Sequence, residues 1–152
     1  MNNESDIFRK IIEDISTLSK AYSRLEAKPR CFGTDDLLHC VEIHIIEAIG
    51  NAGKISVSSL AERLSVTKGA VSQKISKLLA CGMLIKIPDQ QDQRAFFLAL
   101  TQKGKIAYEG HRRFHDDFFQ VFAQANNGVS LKKLVEFEKT LSQMTKTVEE
   151  LK

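Results

Sequence analysis

The sequence predicts a mainly α-helical fold with a small β-wing: a six-helix winged helix-turn-helix that dimerises through its N- and C-terminal helices. Three observations support this prediction. Both ends of the chain place apolar residues at heptad spacing, the middle contains two short helices joined by a tight turn, and two short apolar strands follow. We expect dimerisation helices with a ligand pocket over residues 1–53, a winged module over residues 54–101 and dimerisation helices over residues 102–152. Together they would form one continuous domain.

The composition is that of a soluble globular protein. Of the 152 residues, 43% are hydrophobic and 27% are charged, which excludes a mainly disordered chain. No segment approaches the roughly 20 uninterrupted apolar residues of a membrane span, and the first residues lack the layout of a signal peptide. We therefore expect a cytoplasmic protein without a membrane partner, whose three cysteines are free thiols.

Charge is unevenly distributed along the chain. Residues 54–113 contain eleven Lys or Arg and four acids, a net charge of +7, whereas the whole chain carries +3. The flanking segments together are therefore acidic. A basic centre of this kind favours a polyanionic partner such as double-stranded DNA.

Heptad spacing predicts the first and last helices. The apolar positions are Phe8, Ile11, Ile15, Leu18, Tyr22 and Leu25 near one end, and Leu134, Phe137, Leu141, Met144, Val148 and Leu151 near the other. Pro29 ends the first helix, because the residue before a proline avoids the helical region. Such narrow apolar stripes pack against another helix, either within the chain or in a homodimer, and both can hold.

Two further helices are predicted from their first residues. The second helix should begin at Asp35 or Asp36, since acids suit the positive end of a helix, and should run through Ile49. Thr101 is suited to cap a long helix that reaches about Phe122.

The central segment predicts a helix-turn-helix. Ser56 caps a helix through Leu64, Ser65-Val66 forms the turn, and Thr67 caps a second helix that ends at Gly82. Two helices joined by so short a turn are typical of this motif.

The second helix of this motif presents a surface suited to DNA. Opposite its apolar stripe, the side chains are small, polar or basic, and none is acidic. Hydroxyl and amide groups read base edges, lysines contact phosphates, and glycine permits close approach. The alternative is an ordinary solvated face. The predicted DNA-binding residues of the motif are Ser56, Thr67, Lys68, Gly69, Ser72, Gln73, Ser76 and Lys77.

A β-hairpin follows the two helices and would form the wing. Its strands are predicted over Met83–Ile87, stopped by Pro88, and over Ala95–Leu100. The loop between them contains Arg94, which is placed to enter an adjacent minor groove.

These motifs, in this order, resemble the MarR (multiple-antibiotic-resistance regulator) family. The matching segments are Ser58–Leu64, Val66–Gln73, Lys77–Leu79, Cys81–Ile85, Asp92–Arg94 and Leu98–Gly104. The resemblance implies a homodimeric, ligand-responsive transcriptional regulator, expected to be a repressor that binds a palindromic operator. The family's wing motif is Asp-x-Arg-Asp-x-Arg, and Gln91 replaces its first arginine here, which would weaken phosphate contacts near that position.

Two other classes of function are less well supported by the residues. A winged helix can bind protein instead of DNA, but the +7 charge of residues 54–113 disfavours this alternative because protein interfaces deplete lysine. The chain shows no Ser/His/Asp array, phosphate-binding glycine loop or paired catalytic carboxylates, so we do not expect an enzyme.

The histidines suggest one kind of effector. His111 and His115 lie one helical turn apart, which suits two ligands of one metal ion, and zinc-sensing members of the resembled family use such a pair. The candidate metal ligands are Cys31, Glu42, His44, His111 and His115. Ile43, however, falls where a histidine would be expected. Oxidation of Cys31, beside Lys28 and Arg30, is a third option for sensing.

A second resemblance suggests an organic effector. Glu42–Gly50 and Gly110–His115 are similar to the fatty-acid-biosynthesis repressors of the family, which respond to acylated acyl-carrier protein. The candidate pocket residues are Leu38, Cys40, His44, Ile45, His111, Phe114, His115 and Phe118. Ordinary core packing is the alternative for each of them. We expect a small organic or acyl ligand over zinc, because Ile43 interrupts the metal pattern.

Overall fold

The computed structural model describes residues 3–90, 92, 95–126 and 128–151. In chain order the elements are α1 (Glu4–Glu26), α2 (Cys40–Ala52), β1 (Lys54–Ser56), α3 (Val57–Arg63), α4 (Lys68–Ala80), β2 (Leu84–Pro88), β3 (Phe96–Leu100), α5 (Gln102–Ala125) and α6 (Leu131–Glu150). This order confirms the predicted fold class of six helices with a small β-wing. Two compact units, Met1–Arg112 and Arg113–Lys152, divide the chain within α5. No helix in the described ranges is long and apolar enough to cross a membrane.

The sheet has three antiparallel strands in the order β1-β3-β2. The predicted hairpin is confirmed as β2 and β3, in which Leu84 lies opposite Leu100 and Pro88 opposite Phe96. Strand β1, which pairs Lys54 with Ala99, was not predicted. Its three residues are too few to show an alternating pattern, and its hydrogen-bond partners lie more than 40 residues further along the chain.

The predicted start of the second helix is wrong. Helix α2 begins at Cys40 rather than at Asp35 or Asp36. The backbone N–H and C=O groups of Arg30 pair with those of Leu38 over 3.1 and 3.0 Å, so the intervening residues form a closed loop. Two acids can suit a helix start, but this long-range backbone pairing determined the conformation here.

The core of the first unit is formed by α2, α3, α4, the sheet and the start of α5. Its fully buried side chains are Leu38, Ile45, Ile46, Ile49, Leu60, Val71, Leu78, Met83 and Leu98. Helix α5 packs closely enough that a side chain at Gly104 would collide with the carbonyl of Met83. The core therefore holds both helices of the helix-turn-helix and the wing on one scaffold.

Candidate nucleic-acid interface

Both helices of the helix-turn-helix begin at the predicted caps. The Ser56 hydroxyl accepts a hydrogen bond from the backbone N–H of Ser59 over 3.1 Å, and the Thr67 hydroxyl accepts one from Ala70 over 3.3 Å. A cap of this kind satisfies a backbone donor that the helix itself leaves unpaired. These two predicted DNA-binding residues therefore determine where α3 and α4 begin, and leave the start of α4 exposed.

Helix α4 has one buried face and one exposed face. Val71, Ile75 and Leu78 point into the core. The predicted DNA-binding residues of α4 are all exposed: Lys68, Gly69, Ser72, Gln73, Ser76 and Lys77. The structure thus brings these residues onto an accessible surface of one helix.

Gly69, Ser72 and Ser76 are small residues on the exposed face of α4, and their contacts within the chain leave them accessible to a partner. A Cβ at Gly69 would meet nothing within 4 Å, so packing within the chain does not require glycine there. The hydroxyl of Ser72 donates to the Lys68 carbonyl over 2.7 Å, and that of Ser76 donates to the Ser72 carbonyl over 3.0 Å. Their oxygens still carry lone pairs, so both serines are suited to accept hydrogen bonds from base amino groups.

Lys77 contacts a carboxylate from another helix. Its ammonium group donates to Glu42 Oε1 over 2.8 Å, and the Lys74 ammonium lies 3.7 Å from the same oxygen. The other oxygen of Glu42 accepts from the His39 backbone N–H over 3.0 Å, which closes the first turn of α2. The sequence predicts Lys77 at the DNA surface and Glu42 among the metal ligands, whereas the structure pairs them with each other. Residues 35 positions apart give no local signal of this contact.

The Glu42 carboxylate is buried, with only 1% of its side chain exposed. Burial by itself would raise the pKa of this carboxyl group. The hydrogen bonds that it accepts and the two nearby ammonium charges outweigh that effect, so the pKa is lowered. Glu42 is therefore an anion at neutral pH, held inside the unit by the lysines of α4.

The wing contributes further cations through its strands. The Lys86 ammonium lies 4.4 Å from the ring centroid of Phe96, and the Lys54 ammonium lies 5.0 Å from that of Phe97. Cation–π contacts of this kind hold the charges against the sheet. Arg94 and Gln91, the wing positions singled out from the sequence, lie outside the described residues.

A second polar cluster lies between α1 and α2. His44 Nε2 is 3.2 Å from Glu26 Oε1, and the Cys40 sulfur is 3.7 Å from His44 Nδ1 and 3.9 Å from Glu26 Oε2. One ligand atom from each of the three residues lies within 4.8 Å of the others. The sequence predicts Cys40 and His44 as effector-site candidates but gives no signal for Glu26, which reaches the cluster from another helix. Oxygen, nitrogen and sulfur ligands in this combination are those that zinc accepts.

The surroundings of the cluster are partly buried. Burial and the Glu26 carboxylate raise the pKa of Tyr22 to about 12. Burial also raises the pKa of the Cys40 thiol, and Glu26 raises it further, so this thiol is protonated at neutral pH. The His111 ring is almost fully buried, with its centroid 5.7 Å from that of His44.

Among the other candidate effector residues of the first unit, Leu38 and Ile45 belong to the closed core, and Cys31 is exposed. In the second unit, the rings of Phe114 and His115 pack against each other with centroids 5.6 Å apart, and Phe118 is exposed.

Comparison with known proteins gives a consistent result for the winged module. Residues 38–95 match the MarR family. The HTH-type transcriptional regulator YhjH of Bacillus subtilis is 31% identical over 90 residues, which are 59% of this chain and 51% of that protein. The chain thus spans about half the length of this curated relative.

Solved structures extend the similarity to almost the whole chain. FabT of Streptococcus pneumoniae, crystallised in complex with DNA, is 26% identical with a TM-score of 0.76, covering 95% of this chain and 99% of that one. ZitR of Lactococcus lactis, described as a zinc-responsive MarR family member, is 17% identical with a TM-score of 0.65, covering 93% and 99%. The likeness to ZitR is evidence for the fold alone.

Proposed function

We propose that this chain is a DNA-binding transcription regulator of the MarR family, with a winged helix-turn-helix as its DNA-binding part. The observation that carries the proposal is the exposed face of α4, whose small, polar or basic residues are Lys68, Gly69, Ser72, Gln73 and Ser76. Its position on the capped second helix is where a helix-turn-helix protein reads the major groove. The similar FabT chain was crystallised with DNA.

The regulator acts as a homodimer formed through α1 and α6. Neither helix buries any of its described residues, although both carry large apolar side chains such as Phe8 and Phe137. Two-fold association of this kind would place two α4 helices roughly 34 Å apart, or one turn of DNA. We therefore propose a palindromic operator and repression by occupancy of that site.

Reversal of one charge on α4 tests the DNA-binding proposal. An operator is first selected from a random duplex library, and its binding is then measured by fluorescence anisotropy over a series of salt concentrations. Lys68→Glu should weaken binding at least tenfold, because α4 would then repel phosphates. The matched control is Lys132→Glu, the same charge change at an exposed position of α6, and it should bind like the wild type.

Two outcomes would contradict DNA binding through α4. One is equal affinity for Lys68→Glu and Lys132→Glu. The other is wild-type protein with no salt-dependent affinity for duplex DNA, which would favour the protein–protein interaction alternative.

A metal-responsive regulator is the second candidate function, favoured by the cluster of Glu26, Cys40 and His44. Three different ligand atoms already lie within 4.8 Å of one another, and the His111 ring is adjacent to His44. Zinc would then change DNA affinity by binding one conformation of the dimer better than another.

A small organic or acyl ligand, free or carried by acyl-carrier protein, is the competing effector. Leu38 and Ile45, the residues proposed to line its pocket, are buried in the core. Entry of an acyl chain beside them would therefore require the core to open.

Native mass spectrometry with and without zinc separates the two effectors. If zinc is the effector, it should bind the wild type and change operator affinity at least tenfold, and His44→Ala should lose both effects. The control is His39→Asn, an exposed histidine position at the start of α2 where asparagine can still cap the helix. Unchanged affinity with zinc, together with release of DNA by an acylated carrier protein, would establish the organic effector instead.

A further inference from the structure

The buried carboxylate of Glu42 controls the charge on one flank of α4. At 100° per residue, Lys74 and Lys77 lie about 60° apart around the helix axis, on the same flank. Both ammonium groups point to Glu42 Oε1, at 3.7 and 2.8 Å. Lys68, the other lysine of α4, is the first residue of the helix and lies more than one turn away from Lys74. The ammonium groups of the two lysines in the second half of α4 are thus engaged by a buried carboxylate of the same unit.

Separating Lys77 from Glu42 costs free energy because the carboxylate is buried. Only 1% of the Glu42 side chain is exposed, so water cannot replace the lysines as partners of the carboxylate. A buried charge that loses its partner is strongly destabilising. If Lys77 turned towards a DNA phosphate, the free energy lost at Glu42 would offset much of the free energy gained from the phosphate contact. We therefore expect the lysines to remain with Glu42 when DNA is bound.

This arrangement affects specific and non-specific DNA binding differently. Sequence-independent affinity grows with the number of phosphates that the protein neutralises, at a salt slope of about 0.9 per contact. Base reading by Gln73 and the serines does not depend on that number. A carboxylate that holds two lysines therefore lowers non-specific affinity and leaves base reading intact.

We infer that Glu42 is a specificity-determining residue of the proposed DNA-binding function: it holds Lys77 and Lys74 away from DNA phosphates and positions α4 against α2. The inference rests on the proposed function, because it concerns how that function discriminates among sequences.

The test compares Glu42→Gln with wild type on the selected operator and on a scrambled duplex, over a series of salt concentrations. Glutamine keeps an oxygen that can accept from the His39 N–H but removes the negative charge. The salt slope on the scrambled duplex should steepen by about 0.9 for each lysine released. A tenfold decrease in salt concentration, down to about 0.1 M, should then raise the affinity about eightfold more per lysine than in the wild type. Operator affinity should rise less, so the ratio of specific to non-specific affinity should fall.

Three variants make the result interpretable. Glu62→Gln removes the same charge from an exposed position on α3 and should leave the ratio unchanged. Lys77→Met should leave the salt slope of the wild type unchanged, because this lysine is already held by Glu42. In the Glu42→Gln background, Lys77→Met should remove the part of the gain in slope that comes from Lys77, about 0.9. In Lys77→Met the buried carboxylate keeps Lys74 as a cationic partner at 3.7 Å, so this variant remains informative if Glu42→Gln fails to fold.

The outcomes separate this inference from the proposed function. A slope that falls by about one unit in Lys77→Met alone would show that Lys77 contacts phosphate, and would overturn the inference. An unchanged ratio in folded Glu42→Gln, or an equal change in Glu62→Gln, would overturn it as well. Wild-type protein with no salt-dependent affinity for either duplex would remove the proposed function and the inference together.

Discussion

The core of the first unit and the terminal helices α1 and α6 contain similar apolar residues but bury them to very different extents. Ile46, Leu60 and Leu98 of the first unit are fully buried. In α1 and α6 no described residue is buried, although both helices carry apolar residues at heptad spacing. The same side-chain chemistry therefore has two structural consequences in one chain.

The difference shows in which part of the chain apolar surface is buried within the chain itself. Removing apolar surface from water contributes roughly 25 cal/mol per Å², so a core that closes within one unit stabilises that unit alone. Apolar stripes that stay exposed gain this stabilisation only from another surface. The core around the helix-turn-helix thus closes within the chain, whereas α1 and α6 are suited to association.

Truncation of a core residue should have the largest effect. Ile46→Ala removes buried methyl groups from the middle of the core, so we expect a loss of about 2–5 kcal/mol in the free energy of unfolding. Urea denaturation monitored by circular dichroism measures it. The loss should be the same at two protein concentrations tenfold apart. A loss below about 1 kcal/mol would contradict the assignment of Ile46 to a closed core.

A charged residue in the apolar stripe of α6 should weaken the proposed dimer. Phe137→Glu places a carboxylate where the proposed dimer interface excludes water, and should weaken the dimer by at least about 1.4 kcal/mol, or tenfold. Light scattering should then show the monomer mass of 17.1 kDa at concentrations where the wild type is dimeric. Lys139→Glu, off the stripe on the same helix, is the control. A monomeric wild type would refute the assignment of these helices to association.

The exposed face of α4 is polar, and in the proposed function this face contacts DNA, whereas the apolar stripes of α1 and α6 contact a second subunit. Gln73→Ala should cost about 1–3 kcal/mol of discrimination at one or two base pairs and leave protein stability unchanged. Anisotropy with single-base variants of the operator measures this preference. Equal losses on operator and scrambled DNA would show that Gln73 does not read a base.

The smallest effect is expected at Gly69, where stability and binding should change in opposite directions. Glycine within a helix costs roughly 0.5–1 kcal/mol relative to alanine, and a Cβ here meets nothing in the chain. Gly69→Ala should therefore raise the free energy of unfolding by up to that amount while weakening DNA binding. Thermal denaturation and anisotropy measure the two quantities. An alanine variant that binds DNA as tightly as wild type would show that close approach at Gly69 is not needed.

Local chemistry explains most of what could be predicted. The hydroxyls of Ser56 and Thr67 cap the helices that follow them, as their position before an apolar stripe indicates. Likewise, the Thr101 hydroxyl accepts from the Gly104 N–H over 3.1 Å at the start of α5. The exposed face of α4 also follows directly from its periodicity. Each of these features involves residues within about one helical turn of one another.

The errors and omissions all involve residues that are distant in sequence. The start of α2 depends on backbone pairing between Arg30 and Leu38, and strand β1 depends on Ala99 and its neighbours in β3. Glu26 reaches the cluster of Cys40 and His44 from another helix. Nothing in the local pattern distinguishes these positions from ordinary polar or loop residues.

The sequence by itself therefore determined the helices, their caps, the hairpin and the polar face of α4, because hydrogen bonding and hydrophobic periodicity act over a few residues. Only the tertiary structure decided which charged groups meet. Glu42 binds Lys77 because the core packs α2 against α4, and the energy of an ion pair depends on distance and burial rather than on separation along the chain. For that reason Glu42, predicted as a metal ligand, is found holding the lysines of the proposed DNA-reading helix.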